Sequence, residues 1–367
     1  MLKRTALYPR HAALGARLVD FAGWEMPLHY GSQLEEHSAV RSHSGMFDVS
    51  HMQVVDVDGA RATEFLRGLL ANDVAKLNTP GRALYTCMLR PEGGVVDDLI
   101  VTRRADGEDN AAPSYRIVVN AGTSDKDIAW MREHATRYGA EVRHREDLGI
   151  IAVQGPQARD AVAAHLQPTL VQRAMALKPF NAAWDGGWQV SRTGYTGEDG
   201  FELVLPQEPL IALWDALARE GVVPCGLGAR DSLRLEAGLN LYGNDMDETV
   251  SPLECGLGWT VAWEPFDRDF VGRAALEQQR HAPPHLFAGV VLEGRGVLRA
   301  HMQVRDAARR RVGQLTSGGF APTMKASIGL ARTLRSAEPP FEVEIRGQWH
   351  PLRRVKPPFV RHGKVLV

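Results

Sequence analysis

Seven short apolar runs constrain this chain more than any other feature: Gln53–Val57, Val95–Val101, Arg116–Val119, Ile150–Val153, Gln189–Ser191, Phe201–Leu205 and Ala288–Leu292. Each is bounded by Gly, Pro, Asp or Asn, the pattern of a strand between turns. Between them lie helical periodicities. Ala60–Leu70 puts Phe65, Leu66, Leu69 and Leu70 on one face, and Glu208–Glu220 does the same with Leu210, Leu213, Trp214 and Leu217. Ser124–Tyr138 opens with Ser124 and Asp127 at capping-box spacing, followed by Ile128, Met131 and Ala135. Strands and helices are mixed without strict βαβ alternation, which predicts an α+β fold with antiparallel sheets rather than one doubly wound sheet.

Two breaks divide the pattern. Arg104–Ser114 is polar and carries Gly and Pro between two strand runs, so it reads as an exposed hairpin loop. Glu277–His285 ends a helical segment in Pro-Pro, and a β-rich stretch follows, so a domain boundary is expected there. At roughly 100–200 residues per domain, 367 residues give two or three domains.

Composition excludes several classes. Lys and Arg number 43 against 44 Asp and Glu, a net charge of −1, which removes the bulk electrostatic drive towards nucleic acid or anionic lipid. Cys87, Cys225 and Cys255 are far apart and odd in number, the usage of a reducing, cytoplasmic setting. No apolar run approaches the roughly 18 residues of a membrane span. The basic N-terminus lacks the apolar stretch of a secretory signal. There is no phosphate-binding GxxxxGK[ST], no HExxH, no GxSxG, and no third Gly after Gly226-Leu-Gly228 or Gly256-Leu-Gly258. The 13 His form no ligand-spaced cluster with Cys, so no metal is expected.

Three segments carry possible chemistry. In Val95–Val101 two carboxylates, Asp97 and Asp98, interrupt an apolar strand. Side chains alternate along a strand, so whichever face is buried takes one carboxylate with it. That group needs a hydrogen-bonding partner, a cation or a raised pKa. Ser191–Leu205 contains a Gly-Glu-Asp-Gly turn after which Glu202 enters a strand beside Phe201. A lone strand Glu is ordinarily a solvated residue. Gly226–Gly238 opens a helix with Arg230 and Asp231, and Arg230, Arg234 and Glu236 also fit a salt-bridged helix face. Asn120 ends the run Arg116–Val119, as a turn former or helix cap also would.

Taken together, these segments resemble one family. Phe21-Ala-Gly-Trp-Glu-Met-Pro-Leu-His-Tyr30, Gly45-Met-Phe-Asp-Val-Ser-His-Met52, Gly93-Gly-Val-Val-Asp-Asp-Leu-Ile100, Arg192-Thr-Gly-Tyr-Thr-Gly-Glu-Asp-Gly-Phe-Glu202, Gly228-Ala-Arg-Asp-Ser-Leu-Arg-Leu-Glu-Ala-Gly238, Leu241-Tyr-Gly-Asn-Asp245 and Lys356-Pro-Pro-Phe-Val360 occur in this order. The chain resembles the aminomethyltransferase, or T-protein, family of the glycine cleavage system from about Thr5 to Val360. Because the motifs begin at about Thr5, a bacterial-type cytoplasmic protein without a transit peptide is expected.

The resemblance implies a three-domain cloverleaf ring. Residues 1–52 with 145–275 would form a discontinuous folate-binding domain, 53–144 a ferredoxin-like middle domain, and 276–367 a C-terminal β-barrel-like domain. It implies transfer of an aminomethyl group from the lipoyl arm of the H-protein to tetrahydrofolate, releasing ammonia. Functional links to the glycine decarboxylase and dihydrolipoyl dehydrogenase components follow. By the same match Asp98 is the catalytic aspartate, Glu202 and Arg230 recognise the pterin, and Asn120 and Tyr195 line its pocket. Tyr85, Met52 and Trp259 match wall positions, and Arg361 or Lys364 would meet the folate carboxylates.

Three other readings are weighed. A folate-binding iron–sulfur accessory protein carries Lys-Gly-Cys-Tyr-x-Gly-Gln-Glu, where this chain reads Cys225-Gly-Leu-Gly-Ala-Arg-Asp231. A tetrahydrofolate-dependent demethylase keeps the same pocket, but Leu241–Asp245 favours the glycine-cleavage branch. A flavin-linked sarcosine or dimethylglycine oxidase needs an additional nucleotide-binding domain. For carrier docking, the basic runs Arg305–Arg311 and Arg295–Arg299 are the candidates.

Overall fold

The computed structural model describes residues 1–104 and 112–367. The expected hairpin loop Arg104–Ser114 therefore lies largely outside the described residues. The elements that position the residues of interest are β1 (Gly45–Asp48), β2 (Gln53–Asp58), α1 (Ala62–Leu69), β3 (Ala83–Leu89), β4 (Val95–Arg103), β5 (Ser114–Val119), α2 (Ser124–Ala135), β6 (Leu148–Gln154), β7 (Gly200–Pro206), α3 (Gln207–Arg219) and α4 (Leu227–Glu236). All seven apolar runs fall inside strands, the remaining two in Trp188–Ser191 and His285–Leu292.

The strands form three principal sheets. A five-stranded antiparallel sheet has the order β3-β4-β5-β2 followed by Glu141–His144. A six-stranded sheet has the order Ala182–Asp185, Trp188–Ser191, β7, β6, β1, Val223–Pro224, with only the last pair parallel. β1 thus pairs with a strand a hundred residues away, and the chain enters the other sheet at β2. Six strands between His285 and Val355 close a barrel. The mixture of helices and antiparallel sheets matches the α+β expectation. Among the described residues no helix is long and apolar enough to cross a membrane. All three cysteines are free, buried thiols.

Helix α1 shows why these segments hold. Its Phe65, Leu66 and Leu69 pack with Leu99, Val101 and Ile117 of the five-stranded sheet. Burying each such side chain stabilises the fold by roughly 1.5–3 kcal/mol. Helix α2 departs from the capping box read in the sequence. Its N-cap is Thr123, with no side-chain cap bond. Ser124 donates instead to the carbonyl of Ala121, at 3.1 Å. Asp127 is turned into the protein and is fully buried, because it faces another carboxyl group rather than the helix end.

The turn Arg90–Gly94 sets the register of β4. Arg90 N–H donates to the Gly94 carbonyl and Gly93 N–H to that of Arg90. Gly93 has φ +90°, a conformation open to glycine. A Cβ on Gly94 would lie 1.7 Å from the carbonyl oxygen of Glu248, so only glycine permits the approach. Val95 N–H then donates to the Asp247 and Val250 carbonyls. Tyr242 donates to the Val95 carbonyl and Lys126 to that of Val96. The strand bearing Asp97 and Asp98 is thereby fixed at its start.

Candidate functional site

On β4 the two carboxylates diverge as strand alternation requires. Asp97 is fully buried, whereas Asp98 on the opposite face is only partly so. Asn120, the residue after β5, ties them together. Its backbone N–H and Nδ2 donate to the two oxygens of Asp97 at 3.1 and 2.9 Å, and Nδ2 also reaches Asp98 Oδ1 at 3.0 Å. Tyr85 sits diagonally across β3 from Asp98 and donates its hydroxyl to Asp98 Oδ2 at 2.6 Å. Both Asp98 oxygens are therefore held, and the carboxyl cannot rotate freely.

Burial, and next the charge of Asp97, push the Asp98 carboxyl up to about 7, while the Tyr85 and Asn120 bonds oppose the rise. The phenol of Tyr85 is pushed well above its ordinary value by burial and then by Asp98, so it remains a donor. An acid poised near neutrality in this way is the kind of perturbed group that marks functional sites. Trp259, 67% exposed, stacks on Tyr85 with centroids 5.8 Å apart.

A second group stands beside the first. Arg230, on the first turn of α4, lies with its guanidinium 4.6 Å from the centre of the Tyr195 ring, and its Nη2 is 3.9 Å from Met52 Sδ. Its Nη1 is buried and has no hydrogen-bond partner among the described residues. Glu202, in β7, accepts from the Thr193 hydroxyl through Oε2 at 2.5 Å, and the charges of Glu202 and Arg230 act on each other. Tyr195 donates to the Asn240 carbonyl. Burial raises its phenol, and the charges of both Asp98 and Arg230 act on it. Tyr85 and Tyr195 also act on each other.

The remaining expected residues are placed as follows. Arg361 and Lys364 pair directly across the short hairpin Val360–Arg361 and Lys364–Val365, both exposed on one side of it. That hairpin is tied down by His362 N–H to the Gly197 carbonyl and Gly363 N–H to Glu198. In the basic run 305–311 the charges are largely spent: Arg305 pairs with Glu342, Arg310 with Asp306 and Arg311 with Glu344. Arg295 and Arg299 are exposed.

Sequence reading did not single out Thr193, His51 or Asp127. His51 is buried beside Asp48 and Arg230; burial pulls its imidazole down to about 4, so it is neutral. Only Asp127 left a trace in the sequence, and there it reads as an ordinary helix-start acid. Among the described residues no three His, Cys, Asp or Glu converge to hold a metal.

Comparisons with known proteins agree with one another. Residues 7–265 match the GCVT N-terminal domain, and residues 287–361 match the glycine cleavage T-protein C-terminal barrel domain. The chain is 56% identical over 370 residues to the aminomethyltransferase of Bordetella parapertussis, covering all of this chain and 98% of that one. It is 52% identical over 368 residues to that of Pseudomonas syringae pv. tomato, covering the full length of both. A crystal structure of glycine cleavage system aminomethyltransferase T from Bartonella henselae superposes with a TM-score of 0.90. It is 35% identical and covers 99% of each chain.

Proposed function

The chain belongs to the glycine cleavage T-protein family and is an aminomethyltransferase, and from that premise we propose how its own residues carry the reaction. The observation that carries the proposal is the buried Arg230 Nη1 without an acceptor, beside Glu202. A buried charged donor without a partner is costly, and binding a ligand acceptor relieves the cost. A pterin offers the matching edge: adjacent N–H groups for a carboxylate and a carbonyl for a guanidinium. Glu202 and Arg230 would take these two parts, with Tyr195 and Met52 as walls. Glu202 Oε2 already accepts from Thr193, and Oε1 has no partner among the described residues. The side chains fit the co-substrate that the family uses, tetrahydrofolate.

Tetrahydrofolate supplies the nitrogens that take up the one-carbon unit. The protein must steady the positive charge that develops as the aminomethyl carbon leaves sulfur and ammonia departs. Asp98 is the group we assign to this. Its carboxylate is fixed by Tyr85 and Asn120 before substrate arrives, so stabilisation requires little reorganisation. Holding the folate nitrogens against that carbon adds the proximity contribution. Asn120 acts here by positioning both aspartates, and Tyr85 by orienting Asp98. Trp259, stacked on Tyr85, would form the lip. Arg361 and Lys364, facing the same way, would meet the folate carboxylates together.

The carrier of the aminomethyl group would be lipoylated H-protein, acting with the decarboxylase and dihydrolipoyl dehydrogenase components. The three free thiols fit a reducing compartment, for which we propose the cytoplasm. A division into 1–52 with 145–275, 53–144 and 276–367 is supported by the membership of the three sheets.

The test is tetrahydrofolate binding and turnover measured on the same variants. Arg230→Met is expected to weaken binding by about 10- to 100-fold, the range for a hydrogen bond to a charged group. Asp98→Asn is expected to keep binding and lose turnover. Unchanged affinity in both Arg230→Met and Glu202→Gln would overturn the pterin assignment.

A further inference from the structure

Behind the Asp97–Asp98 pair stands a third carboxyl group that no step above uses. Asp127 projects from α2, is 0% exposed, and neither of its oxygens meets a hydrogen-bond donor of the described protein. It faces Asp97 closely enough to bond to it, with the Thr123 hydroxyl beside both. Two ionised carboxylates in such contact would repel without screening, since both are out of water. The contact is favourable only when one of them carries a proton and donates it to the other.

We propose that Asp127 is a positioning residue for aminomethyl transfer: as the neutral acid it donates its hydrogen to Asp97, and the pair holds one negative charge directly behind Asp98. The role rests on the reading of Asp98 as the catalytic carboxylate. It gives Asp97 three donors, Asp127 and the two N–H groups of Asn120, and so keeps it ionised in a buried place. The proton belongs on Asp127 rather than Asp97 because Asp97 accepts two N–H groups from Asn120, whereas the Thr123 hydroxyl beside Asp127 donates to the Asn120 carbonyl. Burial and the charge of Asp97 push the Asp127 carboxyl far up, in the same direction as the geometric argument.

The chain of contacts is then Asp127, Asp97, Asn120, Asp98, Tyr85. Other groups also face it. Lys126 on α2 is held by Glu248 and Tyr242, Tyr85 and Cys87 come from β3, and Tyr195, Tyr242 and Cys255 come from the loops around β7 and α4. The cysteine thiols are pushed up by burial, and so are the three phenols, so these stay neutral near pH 7 and Lys126 stays charged. The negative charge that acts on Asp98 from behind is then the one on the Asp97–Asp127 pair, with Lys126 as the fixed cation nearby.

Two variants separate this role from a merely structural one. In Asp127→Asn an amide N–H replaces the acid as donor, so Asp97 keeps its charge, and kcat and its pH profile stay within about twofold of wild type. In Asp127→Ala the donor is lost and Asp97 takes up the proton. The acid limb of the kcat profile then moves about one unit lower in pH, with kcat at the plateau down by about tenfold. A second readout needs no turnover. At a pH of about 8.5 ordinary carboxyl groups are ionised, so the infrared carbonyl stretch of a protonated acid, present in the full chain, is expected to vanish in Asp127→Asn. Persistence of that band, or an unmoved acid limb in Asp127→Ala, would overturn the proposal. Asp98→Asn, assayed alongside, tests the underlying reading separately: full turnover there removes Asp98 from the chemistry whatever Asp127 does.

Discussion

Asp98 holds a proton in the folded protein over a pH range in which the unfolded chain has already lost it. Its folded value is about 7, against about 3.9 for an ordinary aspartate. Between those values the folded state binds more protons than the unfolded state, so stability falls as pH rises through this window. Asp98→Asn removes that dependence. Thermal unfolding followed from pH 4 to pH 7 is expected to show a flatter profile in the variant, and a profile parallel to wild type would contradict the assignment. Turnover should run the other way, falling below about pH 7 as the carboxylate is neutralised. Strand alternation made it legible that one of Asp97 and Asp98 must be buried. It left open which, and that depended on Asn120 lying after β5 to receive Asp97. Asp127 was not legible, because an acid in the first turns of a helix is ordinarily explained by the helix dipole.

At the scale of elements, the boundaries of β4 and α1 depend on residues far from them in sequence. Arg268 is 5% exposed and donates to the carbonyls of Arg67, Leu70, Ala71, Asn72 and Ala262. Arg67 and Leu70 belong to the last turn and C-cap of α1, whose carbonyls lack intrahelical partners. Burial pulls the Arg268 guanidinium down to about 10, still charged at neutral pH. Arg268→Met takes a shared charged donor from all five carbonyls, and the Ala71 carbonyl keeps the Ala262 N–H. The substitution is expected to cost about 3–5 kcal/mol, read as a lower urea midpoint at unchanged m-value. A loss under about 1 kcal/mol would mean that water replaces the side chain. Apolar periodicity made α1 and the strands legible, but a buried arginine carries no periodic signal. The capping box at Ser124 failed for a related reason: Asp127 has the right spacing but a partner in the core.

Across the whole molecule, α4 couples the folate-side residues to the barrel. Arg234 donates to Asp245, and Asp245 accepts from Thr316 and Ser317 of the barrel strand Arg311–Ala321. Glu236, at the end of α4, accepts from Arg41 and from Thr323. Asp245→Ala leaves the buried Arg234 with only the half-exposed Asp231 as a carboxylate partner and takes the acceptor from Thr316 and Ser317, and calorimetric unfolding is expected to show a loss of about 3–5 kcal/mol. The α+β class and the β-rich C-terminal stretch were legible from run lengths and the Pro-Pro break. The return of the chain to the six-stranded sheet after Glu141–His144 was not, since no local pattern in β1 says that its partner is β6. The central claim joins both sheets: β7 and α4 hold the folate while β4 supplies the anion. It is tested most directly by tetrahydrofolate-dependent ammonia release from aminomethyl-loaded H-protein, for wild type and Asp98→Asn, with tetrahydrofolate affinity measured on the same preparations. The account predicts equal affinity within about threefold and turnover lower by at least about a thousandfold in the variant. Turnover surviving in Asp98→Asn at equal affinity would contradict it.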